Sequence, residues 1–422
     1  MATATGVAPP QAATGLKKLF WLIGVLCLVV GSIGWWNRLF HGHKLANYNN
    51  IVVWGLWVAA YIFFIGLSAG AFLISSLVYV FGFTRFERIG RLAVFSALVT
   101  LLLALLAIWV DLGHMWRAWH VLVYPNFKSP MAWMIYLYTF YILLLCAEMW
   151  FLLRGDLAAG AQEPGWRGRV YKFLSLGSRN RAEGALRRDR RIVRALATAG
   201  VPLAIMFHGG VGALFATVAA RPYWNSALFP LLFILSALVS GGALLAVIAA
   251  IFQDGLRSNR QIVIDLGRLV LALLWLDVLF QASEFLVVYR SGVPGHVEGF
   301  NLMLFGPYWA VFWIGQLLLG TVVPLALLTL PTRKNAIAVA VACLLVVIGI
   351  FGLRLNIVIP ALSSEEIRGL TQAVSTPRIT SAYHPSATEW LLTVGIIGFG
   401  FILFGFGELL LPEQREELKN VA

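Results

Sequence analysis

A carboxylate and an imidazole stand three residues apart in the segment "VDLGHMWRAWH", which contains Asp111 and His114. If the segment continues as a helix, the two side chains lie on one face, one turn apart. A carboxylate beside an imidazole fixes its tautomer and raises its pKa, which suits a group that exchanges protons near neutral pH. We therefore predict that Asp111 and His114 are catalytic proton carriers. The alternative is a polar cluster at a helix end, hydrated by interfacial water.

A second set of polar groups recurs at helical spacing in "LALLWLDVLFQASEFLVVYR". Asp277, Gln281 and Glu284 stand at i, i+4 and i+7, which is one stripe of a helix. In so apolar a segment the stripe cannot face lipid, because ionisable groups inside a membrane are costly and face a protein interior or a cavity. The stripe could line a proton route, which we favour, or form a hydrogen-bond network that only fixes helix packing.

Further polar groups lie in apolar surroundings. Asp265 and Arg268 are three residues apart and are expected to form an internal ion pair near the inner surface. Glu148 lies near the inner end of the fourth predicted span, and we add these three residues to the predicted proton route. Arg354 and Asn356, in "GLRLNIVIP", are also candidates for a functional role.

The histidines and cysteines do not form a pattern that binds a redox cofactor. His208, in "MFHGGVG", is the only histidine deep in an apolar run, and a lone buried histidine is more often a packed side chain than a ligand. Bis-histidine haem needs paired histidines on facing helices, so haem is not expected. Cys27, Cys146 and Cys343 are scattered without a CxxC pair, so no iron-sulfur cluster, zinc site or disulfide is predicted.

Long apolar segments must position these groups. Of the 422 residues, 60% are hydrophobic and 12% are charged, whereas soluble domains have about 25% charged residues. The sequence predicts an all-α integral membrane protein with about ten transmembrane helices, and no cleavable signal is evident. The predicted spans are about residues 16–36, 50–83, 92–111, 130–153, 193–217, 227–253, 262–289, 308–330, 335–359 and 388–411.

The net charge of +13 reflects membrane topology rather than nucleic-acid binding. Most lysines and arginines fall in the loops that are cytoplasmic if the N-terminus is inside, including "TRFERIGR" and "RNRAEGALRRDRR". The positive-inside rule then places both termini in the cytoplasm. The basic loops are expected to contact anionic lipid headgroups of the cell's inner membrane.

An internal repeat divides the chain. "IGRLAVFSALVTLLLALLA" from Ile89 matches "LGRLVLALLWLDVLFQASE" from Leu266 at a shift of about 177 residues, and Pro130 matches Pro307 at the same shift. The shift crosses an even number of spans, so both copies have the same orientation. We predict four parts: residues 1–49 with the first span, a four-helix bundle with a quinone site over 50–217, a second four-helix bundle with the proton route over 227–359, and residues 360–422 with an outer loop, the last span and a cytoplasmic tail.

Small residues occupy equivalent places in the two predicted bundles. "AGAFL" begins at Ala69 and "GGALL" begins at Gly241, at nearly the same shift as the repeat. Small residues let the backbones of neighbouring membrane helices approach closely. We therefore expect a tight helix contact at both places.

Chemistry alone leaves two classes of function open. A secondary transporter often has internal repeats and helices broken at the midplane. A quinone-reactive membrane subunit instead needs an apolar aromatic pocket near one interface, a hydrogen-bond donor for a quinone carbonyl, and a proton acceptor close to water. The second class is favoured, because the outer ends of the second to fourth spans hold Asp111 and His114 together with Trp54 and the predicted quinone-binding residues Trp57, Tyr61, Trp133 and Tyr136.

The sequence resembles the NrfD family, the polysulfide-reductase-type membrane subunits that also occur in alternative complex III. An ordered set of segments carries the resemblance, from about residue 50 to 412. These are "GLWVAAYIFFIGLSAGAFL", "DLGHMWRAW" with "PNFKSPMAW", "ARPYWNSALFPLLFILSALVSGGALL", "RLNIVIP" and "YHPSATEWLLTVGIIGFGFILFGFGELLLP".

The resemblance implies two four-helix bundles, no haem or iron-sulfur cluster bound by this chain, and a quinone pocket at the outer face of the first bundle. The quinone, with menaquinone expected, would be an exchangeable substrate. The resemblance also implies a partner iron-sulfur subunit docked over the pocket, linked to a molybdopterin-type catalytic subunit or a multihaem cytochrome. Electrons would pass between quinol and the cluster.

Not every functional residue of the family is present at the matching position of this chain. Some members have a histidine in the second span, one turn before the Gly-Leu-small-small motif, where this chain has Tyr61. Tyrosine can donate to a quinone carbonyl but is a poor proton acceptor near neutral pH, so an acceptor role would shift to His114 or Asp111. The acidic stripe resembles second-bundle residues thought to carry protons in some relatives.

We therefore predict a quinone-interacting membrane subunit of a respiratory oxidoreductase, with proton translocation left open. The alternatives are a proton- or ion-coupled transporter and a membrane anchor without quinone chemistry.

Overall fold

The computed structural model describes residues 11–411 except 179, 366, 368, 375 and 377, with side chains described from residue 15 onward; the predicted cytoplasmic tail beyond 411 lies outside the described residues. Long helical segments form the body of the fold: α1 (Gln11–His41), α2 (Leu56–Tyr79), α3 (Glu87–Asp111), α5 (Pro130–Gly160), α7 (Glu183–Ala216), α8 (Phe229–Ile251), α9 (Leu256–Ser291), a π-helix (Val311–Val322) that continues into α11 (Val323–Thr329), α12 (Ala336–Ser363) and α14 (Ala387–Leu410). Short helices lie in the loops: α4 (His120–Val123), α6 (Trp166–Leu174), α10 (Pro294–Leu304) and α13 (Leu370–Ala373).

Nine segments of the described chain are long and apolar enough to cross a membrane, which confirms the predicted all-α integral membrane fold. The remaining predicted span, 262–289, lies in α9, which is not one of the nine. Even so, α9 runs from one end of the protein to the other. Asp265 near its start pairs with Arg85 before α3 at 2.6 Å, and Glu284 near its end accepts a 2.9 Å hydrogen bond from Ser226 before α8. These contacts show that α9 connects the same two ends of the protein as the nine segments do.

The loops divide between two ends of the protein. We name the outer end and the inner end after the predicted orientation, which stays a prediction. The outer end holds residues 42–55, 112–129, 217–228, 292–310 and 364–386, and the inner end holds residues 80–86, 161–182, 252–255 and 330–335.

The long helices pack in two sets with two helices beside them. The helices α2, α3, α5 and α7 pack on one another, and α8, α9, α12 and the π-helix with α11 form the other set. The helix α1 packs along α14, which also contacts α3. Because α2 packs on both α8 and α12, the two sets share an extensive contact. The division into bundles at residues 50–217 and 227–359 stays a prediction.

Glycines allow α2 and α8 to meet backbone to backbone. A side chain at Gly70 would overlap the carbonyl group of Ala237, and one at Gly241 would overlap the backbone of Gly70. The small residues at these places therefore permit the close helix approach that the sequence predicts.

The π-helix changes which side chains point into the second set of helices. In Val311–Val322 the Thr321 hydroxyl donates to the carbonyl of Gln316 at 3.0 Å, five residues earlier. π-Helical turns are rare and frequently lie at functional sites. Here the wider turn accompanies the burial of Gln316, which is 7% exposed.

Candidate functional site

Charged and polar groups form a partly buried cluster at the outer end, between α1, α2, α3 and α14. This outer cluster consists of Arg38, Tyr48, Asp111, Tyr383 and Glu389. The Tyr48 hydroxyl donates to Asp111 Oδ1 at 2.8 Å, and the Tyr383 hydroxyl donates to Glu389. Arg38 is 3% exposed, and its charge acts on Asp111. The cluster therefore holds two carboxyl groups under the outer loops, each with a phenolic donor.

The two tyrosines of the outer cluster act as hydrogen-bond donors at all physiological pH values. Burial raises the pKa of Tyr48 well above its usual value, and the neighbouring Asp111 acts in the same direction. Burial likewise raises the pKa of Tyr383, with Glu389 adding to the effect. Glu389 also caps α14, because its carboxylate accepts from the backbone N–H of Ser386 at 2.8 Å.

His43 lies against the outer cluster in the loop after α1. Its ring is 5.6 Å from the Tyr48 ring and 5.7 Å from the Trp57 ring, measured between centroids. Its Nε2 atom is buried and has no hydrogen-bond partner among the described residues. Burial lowers the pKa of His43, and the charge of Arg38 lowers it further. His43 is therefore a neutral imidazole at neutral pH, which the sequence reasoning missed.

We expect the His43→Gln variant to lose part of the protein's pH dependence of stability. The lowered pKa means that the folded protein binds this proton more weakly than the unfolded chain, where the histidine pKa is about 6.5. The stability from neutral His43 is therefore fully present above about pH 6.5 and falls as the pH drops toward the lowered value. Midpoints of thermal unfolding in detergent, measured at about pH 7.5 and 5.5, should differ less for the variant than for wild type. Equal differences would contradict the assignment.

The structure corrects the predicted placement of His114. The helix α3 ends at Asp111, and Leu112 is extended at φ −62° and ψ 132°, so His114 is not one turn along a helix face. It lies exposed in the outer loop. The physical reason is at the helix end, where Arg38 donates to the carbonyls of Val110 at 2.7 Å and Leu112 at 2.6 Å. A catalytic role for His114 stays a prediction, but its pairing with Asp111 on one helical face was wrong.

Trp57 and Tyr61 lie one turn apart on α2 and have different surroundings. Trp57 is fully buried, and its Nε1 donates to the Glu389 carbonyl at 3.2 Å, which joins it to the outer cluster. Tyr61 is half-buried, and its hydroxyl is hydrogen-bonded to the hydroxyl of Tyr138 on α5. Two phenolic hydroxyl groups thus meet between α2 and α5, close to the outer cluster.

Trp133 and Tyr136 hold the outer loop against α5. The Trp133 Nε1 donates to the Phe127 carbonyl, and the Tyr136 hydroxyl donates to the Leu122 carbonyl, each at 2.9 Å. Trp133 is 53% exposed. Through these contacts both side chains anchor the outer loop. Their contact with quinone stays a prediction.

Sequence reasoning chose Tyr136 on α5 and missed Tyr138. Along α5 the residues Tyr138, Tyr141 and Leu145 are buried, whereas Trp133 is exposed and Tyr136 is half-exposed. This 3.6-residue period could have identified Tyr138 as the inward-facing tyrosine. The sequence did not show which face of α5 meets α2.

The acidic stripe of α9 belongs to a chain of hydrogen bonds that crosses the second set of helices. Gln281 Nε2 donates to Asp277 Oδ2 at 2.5 Å, and Gln316 Nε2 donates to Gln281 Oε1 at 2.9 Å. Asn356 Nδ2 in turn donates to Gln316 Oε1 at 2.7 Å. Residues from α9, the π-helix and α12 are therefore linked, and two of them, Gln316 and Asn356, were not predicted as partners of the stripe.

A cavity of about 50 Å³ lies beside this hydrogen-bond chain. Its polar lining consists of Ser236, Asp277, Gln281, Glu284, Gln316, Arg354 and Asn356. Such a volume holds a few water molecules where polar partners are present. Within the described residues, Asp277 Oδ1 and Arg354 Nε have no hydrogen-bond partner. The stripe therefore forms a packing network and also lines a polar cavity, so both predicted alternatives stand.

Arg354 is buried between the two sets of helices. Its Nη2 donates to the Ser236 hydroxyl at 2.6 Å, and its guanidinium lies 4.4 Å from the centroid of the Phe233 ring. His208 of α7 is hydrogen-bonded through Nε2 to the Phe233 carbonyl at 2.9 Å. A side-chain carbon at Gly66 of α2 would lie 3.4 Å from His208 and 3.5 Å from Arg354. These are ordinary van der Waals distances, so Gly66 packs directly against both polar groups.

At the inner end, Asp265 is the centre of a small ion-pair network. Arg268 binds it at 2.9 Å, which confirms the predicted ion pair, and Arg85 binds it at 2.6 Å from the loop before α3. Glu148 is fully buried, and neither of its oxygens has a hydrogen-bond partner among the described residues. The proton-route role of Asp265, Arg268 and Glu148 stays a prediction. Across the described chain, no group of three or more His, Cys, Asp or Glu side chains is placed to hold a metal ion.

Comparison with known proteins gives the family. The family model described as "Polysulphide reductase, NrfD" matches residues 44–364. A selenate reductase subunit of Mesobacillus selenatarsenatis is 38% identical, over 95% of this chain and 96% of the relative. A putative dimethyl sulfoxide reductase membrane subunit of Halobacterium salinarum is 31% identical, over 97% and 95% respectively. An Hdr-like menaquinol oxidoreductase integral membrane subunit of Archaeoglobus fulgidus is 25% identical, over 94% and 95%. The chain therefore belongs to the NrfD family of polysulphide-reductase-type membrane proteins.

Proposed function

We propose that this chain is the quinone-interacting membrane subunit of a respiratory oxidoreductase complex. Its relatives include proteins named as subunits of a selenate reductase, a dimethyl sulfoxide reductase and a menaquinol oxidoreductase. The chain itself would bind no redox cofactor, and a quinone, with menaquinone expected, would be its exchangeable substrate. The observation that carries this proposal is the pair of hydroxyl groups of Tyr61 and Tyr138 near the outer end.

The tyrosine pair has the chemistry to hold a quinone oxygen. Each phenol has one O–H donor and can also accept, so one proton of the Tyr61 and Tyr138 pair stays available after their mutual hydrogen bond forms. Tyrosine ordinarily keeps its proton near neutral pH, so the pair donates to a quinone carbonyl. Tyr61 is half-buried, so part of its side chain stays accessible to a ligand.

The outer cluster would receive the protons that quinol oxidation releases. Trp57 links the two places, because it lies one turn from Tyr61 and donates to the backbone of Glu389. The carboxyl group of Asp111 lies beneath the outer loops and already accepts a hydrogen bond from Tyr48. A proton held there is close to the outer surface, where water can take it up.

Electrons would leave toward a partner at the outer end. The outer loop exposes large aromatic side chains, among them Trp116 at 75%, Tyr124 at 72% and Trp119, and exposed aromatic patches mark contact sites with proteins or membranes. An iron-sulfur electron-transfer subunit docked there would stand over the tyrosine pair. That subunit would in turn serve a molybdopterin-type catalytic subunit or a multihaem cytochrome. The location that follows is the cell's inner membrane, with both termini in the cytoplasm.

Proton translocation would use the second set of helices. Its candidate carriers are Asp277, with Gln281 and the polar cavity beside it, and Glu284 nearer the outer end. Asp265, Arg268 and Glu148 would serve the inner end. The support is the continuous hydrogen-bond chain from Asp277 to Asn356 and the cavity of about 50 Å³ that it borders.

The variants Tyr61→Phe and Tyr138→Phe test the quinone site. Each removes a hydroxyl group that hydrogen-bonds the quinone or its partner, worth about 1 to 1.5 kcal/mol. We expect quinol-linked turnover of the assembled complex to fall about tenfold, mainly through a higher KM for a menaquinol analogue. Turnover is measured in membranes with the terminal acceptor of the complex.

Tyr136→Phe is the matched control, because it removes a hydroxyl group on the same helix that bonds only to the outer loop. It should keep normal turnover if its hydroxyl only anchors the loop, whereas a loss of turnover would favour the quinone contact that the sequence predicts for Tyr136. Activity of the catalytic subunit with an artificial electron donor reports assembly and should be unchanged in all three variants. Normal quinol turnover in both Tyr61→Phe and Tyr138→Phe would refute the assigned site.

A further inference from the structure

A lipid-facing groove lies between α9 and the π-helix, in the outer half of the second set of helices. One part has a volume of about 500 Å³ and is lined by residues such as Val278, Ala282 and Leu286. A second part of about 360 Å³ adjoins it through Phe285, Tyr289, Phe312 and Leu317, which line both. Leu286 is 62% exposed. The groove therefore opens sideways, toward the membrane.

The floor of the groove is polar. Gln281 and Gln316 line the larger part of the groove and also the cavity of about 50 Å³ behind it. Each side-chain amide has two N–H groups, and one of each is used in the bonds to Asp277 and Gln281. Since Gln281 precedes Tyr289 by eight residues, it lies about 12 Å deeper along the helix. The groove thus has amide donors well below its aromatic mouth.

The depth of these donors identifies the kind of molecule that fits. A phospholipid keeps its polar head at the interface and would place methylene groups against the amides, which leaves buried donors unpaired at a cost. A prenylated quinone has carbonyl oxygens on a flat apolar ring and a tail that dissolves in lipid. Its carbonyl can pair with the amides while its ring contacts Phe285 and Phe312.

We propose that this groove is a second binding site for a prenylated quinone, with a carbonyl directed to Gln281 and Gln316. The inference takes the class of ligand from the proposed function but uses a different site, since Tyr61 and Tyr138 lie between α2 and α5. No electron transfer is assigned to it. Gln281 also donates a hydrogen bond to Asp277. A quinone bound in the groove would therefore change the hydrogen bonds of this buried carboxyl group.

Photolabelling of the full-length protein in lipid nanodiscs with an azido-menaquinone probe tests the site. We expect label on peptides that contain residues 278–289 and 311–322, displaced by an excess of unlabelled menaquinone. Ala282 is exposed in the groove, so Ala282→Trp fills the groove without burying new volume in the core. Label on these peptides should fall about tenfold, which corresponds to about 1.4 kcal/mol of binding.

Ala272→Trp is the matched control, because Ala272 is an exposed alanine on the same helix outside the groove. The groove peptides of Ala272→Trp should be labelled as strongly as those of wild type. The groove peptides of Tyr61→Phe should be labelled equally strongly. Label confined to peptides of α2 and α5 would overturn the groove site and leave the proposed function standing. Two further results would overturn the groove site. One is unchanged labelling of the groove peptides in Ala282→Trp. The other is displacement of the label by phosphatidylcholine as effectively as by menaquinone. Absence of label from α2 and α5 alone would count against the proposed function only.

Discussion

Gly241→Ala should destabilise the protein by about 1 to 3 kcal/mol, although alanine is normally the better helix former by about 1 kcal/mol. The new methyl group would overlap the backbone of Gly70, which cannot move aside as a flexible side chain can. The helices α2 and α8 would have to separate, and overpacking of this kind typically costs about 1 to 3 kcal/mol, occasionally more. The measurement is the thermal midpoint in detergent together with the yield of monodisperse protein.

Gly315→Ala is the matched control for this substitution. Gly315 lies in the π-helix of the second set of helices, and a side-chain carbon there would meet no atom within 4 Å. This variant should be as stable as wild type or slightly more stable. Gly241→Ala protein with an unchanged midpoint would contradict the backbone contact between α2 and α8.

Asp277→Asn is expected to have the second large effect. Arg354 is 1% exposed, and Asp277 is the acidic group that acts on its charge. No direct ion pair joins the two side chains in the described part of the chain, so the relevant scale is that of coupled groups in one polar network, about 0.5 to 3 kcal/mol. We expect a lower thermal midpoint and loss of quinone-linked proton release by the complex.

A double variant separates charge pairing from simple loss of packing. Asp277→Asn combined with Arg354→Gln removes both charges, so it should recover part of the stability lost in Asp277→Asn alone. The coupling free energy from the four proteins measures the pair directly. Additive losses would mean that Asp277 does not balance Arg354.

The parts of the fold that follow from helical periodicity were predictable. The spans were visible because apolar runs of about 20 residues have few other uses. The stripe of Asp277, Gln281 and Glu284 was also predictable, since spacing alone puts the three on one face. The stripe's partner Gln316 was not predictable, because the order of side chains around a π-helix differs from that of an α-helix and "VFWIGQLLLGTV" contains no marker of the change.

The outer cluster could not be assembled from the sequence. Tyr48 and Tyr383 come from loops that are more than 300 residues apart and meet only because α1 packs along α14. The end of α3 at Asp111 depends on Arg38, which reaches its last carbonyls from α1. Local sequence around Asp111 does not contain that information, so the helix was predicted to continue to His114.

The contact of Gly70 with Gly241 also bears on the alternative function of a transporter. A carrier that works by alternating access rocks its repeats against each other around a bound solute. Rocking would shift the two sets of helices against each other at a place where the backbones of α2 and α8 lie in direct contact. A stationary relay, in which the proposed proton transfer uses fixed groups such as Asp277 and Glu284, would leave this contact undisturbed.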